Sequence, residues 1–149
     1  MRASDICTLD VACIHASASV TDAAKLMRTR HAGALVVIEK PDGERIPVGI
    51  VTDRDIVMSV VAADVPAASL VVGDIMSAPA LTCGKDHHLL EIISIMRTKA
   101  IRRLPLVNAY GVLTGLVAAD DVYLALGVLL REMNAAIADE QTQEHQLRI

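Results

Sequence analysis

The 149-residue chain has no Phe, no Trp and only two tyrosines, Tyr110 and Tyr123. That absence removes the stacking platforms on which single-stranded nucleic acids are held. An excess of basic charge is missing too: 14 Lys and Arg face 18 Asp and Glu, giving a formal net charge of −4 and a pI near 5.7. Surfaces that draw affinity from phosphate backbones are usually basic, so no nucleic-acid partner is expected. The three cysteines, Cys7, Cys13 and Cys83, are odd in number and form no C-x-x-C pair. Neither a disulfide framework nor a structural zinc site follows from them, and reduced thiols fit a reducing compartment. The apolar run from Val122 to Leu130 stops at Arg131 and Glu132, well short of the roughly 20 residues of a membrane span. No N-terminal segment combines the basic, apolar and cleavage parts of a signal peptide. A cytoplasmic protein with no membrane partner is the expectation.

What the chain has in abundance is apolar residues: 53% are hydrophobic and 21% charged, with a mean hydropathy of +0.45. A disordered chain shows the opposite balance. The length suits one compact domain, or two small ones sharing a core.

Self-comparison organises the rest. Displaced by 69 residues, Met27-Arg28-Thr29 falls on Met96-Arg97-Thr98 and Asp5-Ile6 on Asp74-Ile75. Val20, Ala23, Ala24 and Met27 fall on Leu89, Ile92, Ile93 and Met96. Both sets have the i, i+3, i+4, i+7 spacing of a helix with one buried face. Beyond Ile38 the displacement becomes 66, because the first copy carries three extra loop residues; Gly49-Ile50-Val51 then matches Gly115-Leu116-Val117. Apolar, β-prone runs flank each loop, Leu35 to Ile38 and Val48 to Val51, then Leu104 to Val107 and Val112 to Val117. Pro41-Asp42-Gly43 and Asn108-Ala109-Tyr110-Gly111 supply turn chemistry, so each pair reads as a hairpin. Short strands near Val11 to Ile14 and Ala80 to Cys83 precede the first helices. The expected fold is α/β (α+β): two β-α-β-β-α repeats packed sheet to sheet about a pseudo-twofold axis. Residues 1–63 form the first repeat, 64–72 a linker, 73–126 the second repeat, and 127–149 a helical extension and tail. One unit alone would bury too little core.

In the last helix Val122, Leu126, Leu129, Leu130, Met133 and Ile137 form one stripe. Packing on its own module and a helix-to-helix dimer contact both fit, and the dimer is favoured, because the matching helix of the first copy ends near Ala63. After Ile137 the composition turns polar and fraying is expected.

The candidate site is Gly49-Ile50-Val51-Thr52-Asp53-Arg54-Asp55, where a strand meets a helix. Thr52 at the N-cap, with free N–H groups beside it, suits a phosphate. Asp55 is an acceptor suited to the vicinal hydroxyls of a ribose. The same T-x-x-D spacing also describes a capping box, which would do no more than start the helix. Other residues carry less. His87 and His88 start a helix where side chains are usually solvated, and Glu91 has no second carboxylate for acid–base chemistry. A metal or redox site built from Cys13, His15 and Cys83 has no standard ligand spacing behind it.

The tandem unit, the openings Asp5-Ile6-Cys7 and Asp74-Ile75-Met76, the strand Ile101-Arg102-Arg103-Leu104-Pro105-Leu106-Val107 and the G-I-V-T-D-R-D segment together resemble a stand-alone bacterial-type cystathionine-β-synthase (CBS) domain pair, or Bateman module. The resemblance implies a regulatory, non-catalytic module that binds AMP, ADP, ATP, NAD or S-adenosylmethionine between its repeats. It implies Thr52 for phosphate and Asp55 for ribose, with Arg102 and Arg103 reaching the phosphates. The backbone of Ala80, Leu81 and Thr82 would line the adenine. In the second copy Asp121 keeps the ribose position, but Ala118 replaces the threonine, and the first copy has Gly33 and Ala34 where the second has Arg102 and Arg103. One competent pocket and one weak or empty one are expected. The resemblance also implies a homodimer, often a disc of four repeats, serving an effector protein that the sequence does not identify. The alternatives are an interaction or oligomerisation module with vestigial pockets, and the metal or redox sensor.

Overall fold

A computed structural model of the chain describes residues 1–40 and 43–147. Each repeat opens on a single helical turn, α1 (Ala3–Ile6) and α4 (Val72–Ile75), an element additional to the expected β-α-β-β-α order. The first repeat continues with β1 (Cys13–His15), α2 (Val20–Arg30), β2 (Ala34–Glu39), β3 (Ile46–Thr52) and α3 (Asp53–Ile56), which widens into a π turn over Val57–Val61. The second has β4 (Cys83–Gly84), α5 (Leu89–Lys99), β5 (Arg103–Val107), β6 (Leu113–Ala118) and α6 (Ala119–Leu147). A 3-10 turn at Ala67–Ser69 lies between them. The mixed α+β architecture expected from the repeat is thus present. Pro41 and Asp42, expected in the first hairpin turn, lie outside the described residues.

Two three-stranded sheets form, ordered β1-β2-β3 and β4-β5-β6. In each, the first strand pairs parallel with the second and the second antiparallel with the third. The first strands fall later than expected, at Cys13–His15 and Cys83–Gly84. The reason is register: the parallel ladder begins only where Cys13 meets Val36 and Cys83 meets Leu106. Val11 serves instead in a cluster with Val36, Ile38 and Leu113 that joins the two sheets. On α2, Val20, Ala23 and Met27 are buried, and on α5, Leu89, Ile92 and Met96. Ala24 is a correction to the expected face: it is exposed, and Leu26 packs on the core in its place. Fraying after Ile137 is also corrected, since α6 runs on to Leu147. Ala138, Glu140, Gln141, Gln143 and Glu144 are polar or small but are good helix formers, so polarity alone does not end the helix.

The repeats are joined by a reciprocal exchange. Thr8, just after α1, pairs with Leu116 on β6 through two hydrogen bonds of 2.9 Å. The equivalent Ser77, after α4, pairs with Ile50 on β3 at 2.9 and 3.0 Å. Ala3 N–H donates to His87 O at 2.8 Å and Val72 N–H to Ala18 O at 2.9 Å, again an equivalent pair. Side chains follow the backbone. Val72, Ile75 and Met76 complete the core of the first repeat, and Ala3, Ile6 and Cys7 that of the second. Each core is built from both halves of the chain.

Glycine at the crossing points permits this close approach. A methyl group on Gly49 would stand 2.8 Å from both Met76 Sδ and the Ser77 carbonyl oxygen. On the equivalent Gly115 it would stand 3.0 Å from Cys7 Sγ and 3.3 Å from Thr8 O. Gly49→Ala should therefore destabilise the molecule by about 1–3 kcal/mol, the usual range for overpacking. Gly115→Ala, whose nearest neighbour is a less crowded thiol, should cost less. Denaturant unfolding of the two variants checks that order, and equal midpoints would contradict it.

Candidate functional site: a cleft between the repeats

Thr52 caps α3. Its hydroxyl accepts from Asp55 N–H at 3.2 Å and donates to Asp55 Oδ2 at 2.8 Å, and its own N–H donates to the same oxygen at 2.8 Å. The capping box is closed, and both side chains are half-buried. In the second repeat Ala118 N–H donates to Asp121 Oδ2 at 2.8 Å. With no hydroxyl at position 118, only half of the box can form there.

A cleft of about 610 Å³ opens at the Thr52 end. Ile50, Thr52, Asp53 and Arg54 form its wall from the first repeat. Ser77 to Leu81, the segment brought there by the Ile50–Ser77 exchange, forms a second wall. Ala100, Ile101, Arg102 and Arg103 of the second repeat close it. The volume falls within the range of small-molecule sites, about 300–1,000 Å³.

The two arginines diverge, as neighbours along an extended chain must. Arg103 reaches across to the first repeat: a methyl group on Gly33 would meet Arg103 Nη2 at 3.5 Å and Asp53 Oδ2 at 3.2 Å. Arg102 turns toward the first turn of α6, where its Nη2 lies 3.8 Å from Asp120 Oδ1. Both members of that pair are exposed, so solvent screens it and little energy holds Arg102 in place. The cleft carries three guanidinium groups, Arg54, Arg102 and Arg103, against one carboxylate, Asp53.

Of the residues singled out in the sequence, Thr52, Ala80, Leu81, Arg102 and Arg103 line this cleft. Asp55 stands one step behind it through Thr52, and Thr82 lies beyond its edge. Asp121 belongs to the other repeat. Sequence reasoning missed Asp53, Arg54, Ile101 and the Ser77–Pro79 wall. Asp53 and Arg54 lay within the quoted motif, whereas the wall depends on an exchange that no side-chain pattern announces.

Elsewhere, a second cleft of about 750 Å³ lies between the opening segment of the chain at Ser4, Cys7 and Leu9 and the second repeat at Lys85 and Tyr110. Half-buried His87 accepts at Nδ1 from Gly84 N–H at 3.2 Å, while His88 is exposed. Among the described residues no three His, Cys, Asp or Glu side chains gather as metal ligands, and no helix is long and apolar enough to cross a membrane.

Two homologous α+β units meet with a cleft of small-molecule size between them, which defines a tandem domain pair. The CBS domain family model matches residues 3–62 and 72–128, and the chain belongs to that family. It is 36% identical over 96 residues to an uncharacterized protein of Methanopyrus kandleri, covering 64% of this chain and 47% of that one. The chain therefore spans about half the length of that relative. The hexameric CBS-CP12 protein of bloom-forming cyanobacteria shares its structure with a TM-score of 0.73 and 31% identity, over 83% of this chain and 69% of that chain. The CBS domain pair of protein MJ0100, solved with 5-methylthioadenosine and S-adenosyl-L-methionine, matches with a TM-score of 0.74 at 22% identity, over 85% and 96%.

The thiols bear on pH. Burial, and then the neighbouring Cys7, push the Cys83 thiol from 9.0 up to about 11. Burial also raises Cys7 and Cys13. The folded protein thus keeps Cys83 protonated where the unfolded chain ionises it. This contribution to stability is complete below pH 9 and is lost as pH rises through 11. Unfolding free energies measured across pH 9 to 11 should fall more steeply for the native chain than for Cys83→Val; equal slopes would contradict the assignment.

Proposed function

We propose that the protein is a sensor of an anionic adenosine nucleotide, bound in the cleft between the repeats. The observation that carries this reading is a cleft lined by Arg54, Arg102, Arg103 and the Thr52 strand–helix turn, with Asp53 as the one carboxylate in its lining. Planar guanidinium groups bind phosphate oxygens in pairs. An apolar wall from Pro79 to Leu81 suits a purine, and Asp55 supports the ribose side through Oδ1, the carboxylate oxygen that takes no part in the cap. AMP, ADP, ATP and NAD all bring negative charge to the arginines. S-adenosylmethionine brings a sulfonium cation and fits this cleft less well, although it accompanies the MJ0100 pair. At the equivalent second position, Ala118 of the second repeat and Gly33 and Ala34 of the first supply neither hydroxyl nor cation, so one site per chain is the reading. The module itself is non-catalytic. It acts as a homodimer and passes the ligand signal to an effector protein, provided that the ligand binds one arrangement better than another. The closed Thr52–Asp55 box favours a second reading, an interaction module in which these residues only cap a helix.

Thermal shifts with AMP, ADP, ATP, NAD and S-adenosylmethionine separate the two. At about 100 times its dissociation constant a ligand adds roughly 2.7 kcal/mol of apparent stability. A phosphate-bearing nucleotide should produce such a shift, and Arg103→Met should abolish it. Arg103 caps no helix, so the ligand-free midpoint should hardly move. Asp55→Ala should lower both the midpoint and the shift. No shift from any nucleotide, or a shift from S-adenosylmethionine alone, would contradict the reading.

A further inference from the structure

Helix α6 is 29 residues long, about 44 Å at 1.5 Å per residue. Its own module covers little of it: Val122 and Ala125 are buried and Leu126 is partly so. Tyr123, Leu130, Met133 and Ile137 remain 72%, 66%, 62% and 43% exposed. With Leu126 they stand at successive intervals of three, four, three and four residues. That is the 3.5-residue repeat of a two-helix seam, flanked by the exposed Leu124, Val128 and Leu129. Continued at the same spacing, the line meets Glu140, Glu144 and Leu147. Tyr123, Leu129, Leu130, Met133 and Ile137 expose on the order of 600 Å² per copy, so pairing two copies would bury about 1,200 Å², the lower limit of a stable specific interface.

We propose that α6 pairs antiparallel with α6 of a second copy of this chain, setting Leu126 against the partner subunit's Ile137 and Leu130 against the partner subunit's Met133. The proposal rests on the homodimer reading above, gives it a surface, and is independent of the nucleotide cleft. The polar positions on the seam select both occupant and direction. In a parallel, in-register pair, Glu140 would face the partner's Glu140 and Glu144 the partner's Glu144, each a like-charge contact. In the antiparallel register Tyr123 comes opposite the partner's Glu140, so that a phenol donor meets a carboxylate acceptor. Each end of the seam is then closed by the same pair, as twofold symmetry requires.

Sedimentation equilibrium of the full chain and of Leu130→Glu/Met133→Glu tests the pairing. Both side chains are exposed, so the thermal midpoint at low protein concentration should be unchanged. The native chain should be dimeric, and the variant monomeric at concentrations at least 100-fold above the native dissociation constant. A variant that stays dimeric would overturn the seam and leave the homodimer reading standing, whereas a monomeric native chain would overturn both. Direction is read by oxidising a mixture of Leu130→Cys and Met133→Cys chains and mapping the linked peptides. Mixed 130–133 links are expected; links between identical positions alone would overturn the antiparallel register. Nucleotide shifts measured on the glutamate variant report on the cleft separately.

Discussion

The molecule depends on one reciprocal contact, in which the opening segment of each repeat is hydrogen-bonded to the last strand of the other. Thr8 closes on Leu116 and Ser77 on Ile50, in four backbone hydrogen bonds between 2.9 and 3.0 Å. A bridge of this size contributes little by itself, since each hydrogen bond nets about 1 kcal/mol. Its weight comes from what it carries: Met76 and Val72 into one core, Cys7 and Ala3 into the other. Neither repeat can finish its own interior, so the two fold as a unit and the space between them has fixed walls.

The cleft follows from that constraint. The chain leaving Ser77 runs back along β3, where Ala80 N–H donates to Val48 O at 3.0 Å, and so lays Ser77 to Leu81 down as one wall of the cleft. Arg103 begins β5 in the second sheet and still reaches Gly33, which leads into β2 of the first. The pseudo-twofold frame duplicates this geometry, but the side chains do not follow it. Threonine faces alanine at 52 and 118, and arginine faces glycine or alanine at 102/33 and 103/34. A symmetric backbone thus carries an asymmetric charge distribution. The same asymmetry recurs in the last helices, where the first repeat stops after its π turn at Val61 and the second extends to Leu147.

Much of this was legible in the sequence because duplication doubles every signal. A helix pattern weak in Val20-Thr21-Asp22-Ala23 becomes firm when Leu89, Ile92 and Met96 repeat it. The T-x-x-D spacing pointed to both a cap and a ligand contact, and the geometry makes the cap explicit. The first strands were misplaced by two or three residues because Val11 and Leu81, apolar and β-prone, sit outside the parallel ladder that begins at Cys13 and Cys83. The exchange was not legible at all: it is made by backbone groups of Thr8 and Ser77, and a backbone hydrogen bond leaves no residue signature beyond the glycines at 49 and 115. Val122 belongs to the apolar stripe of the last helix in the sequence, yet it faces its own core, and the exposed apolar line begins at Tyr123.

One nucleotide site, and not two, is expected of this pseudo-symmetric fold. Isothermal titration of the full chain with the phosphate-bearing nucleotide that stabilises it most tests this directly. One nucleotide bound per chain is the predicted result. Two per chain would show that Ala118, Gly33 and Ala34 suffice without hydroxyl or arginine, and none would reduce Thr52 and Asp55 to a helix cap; either would contradict the account.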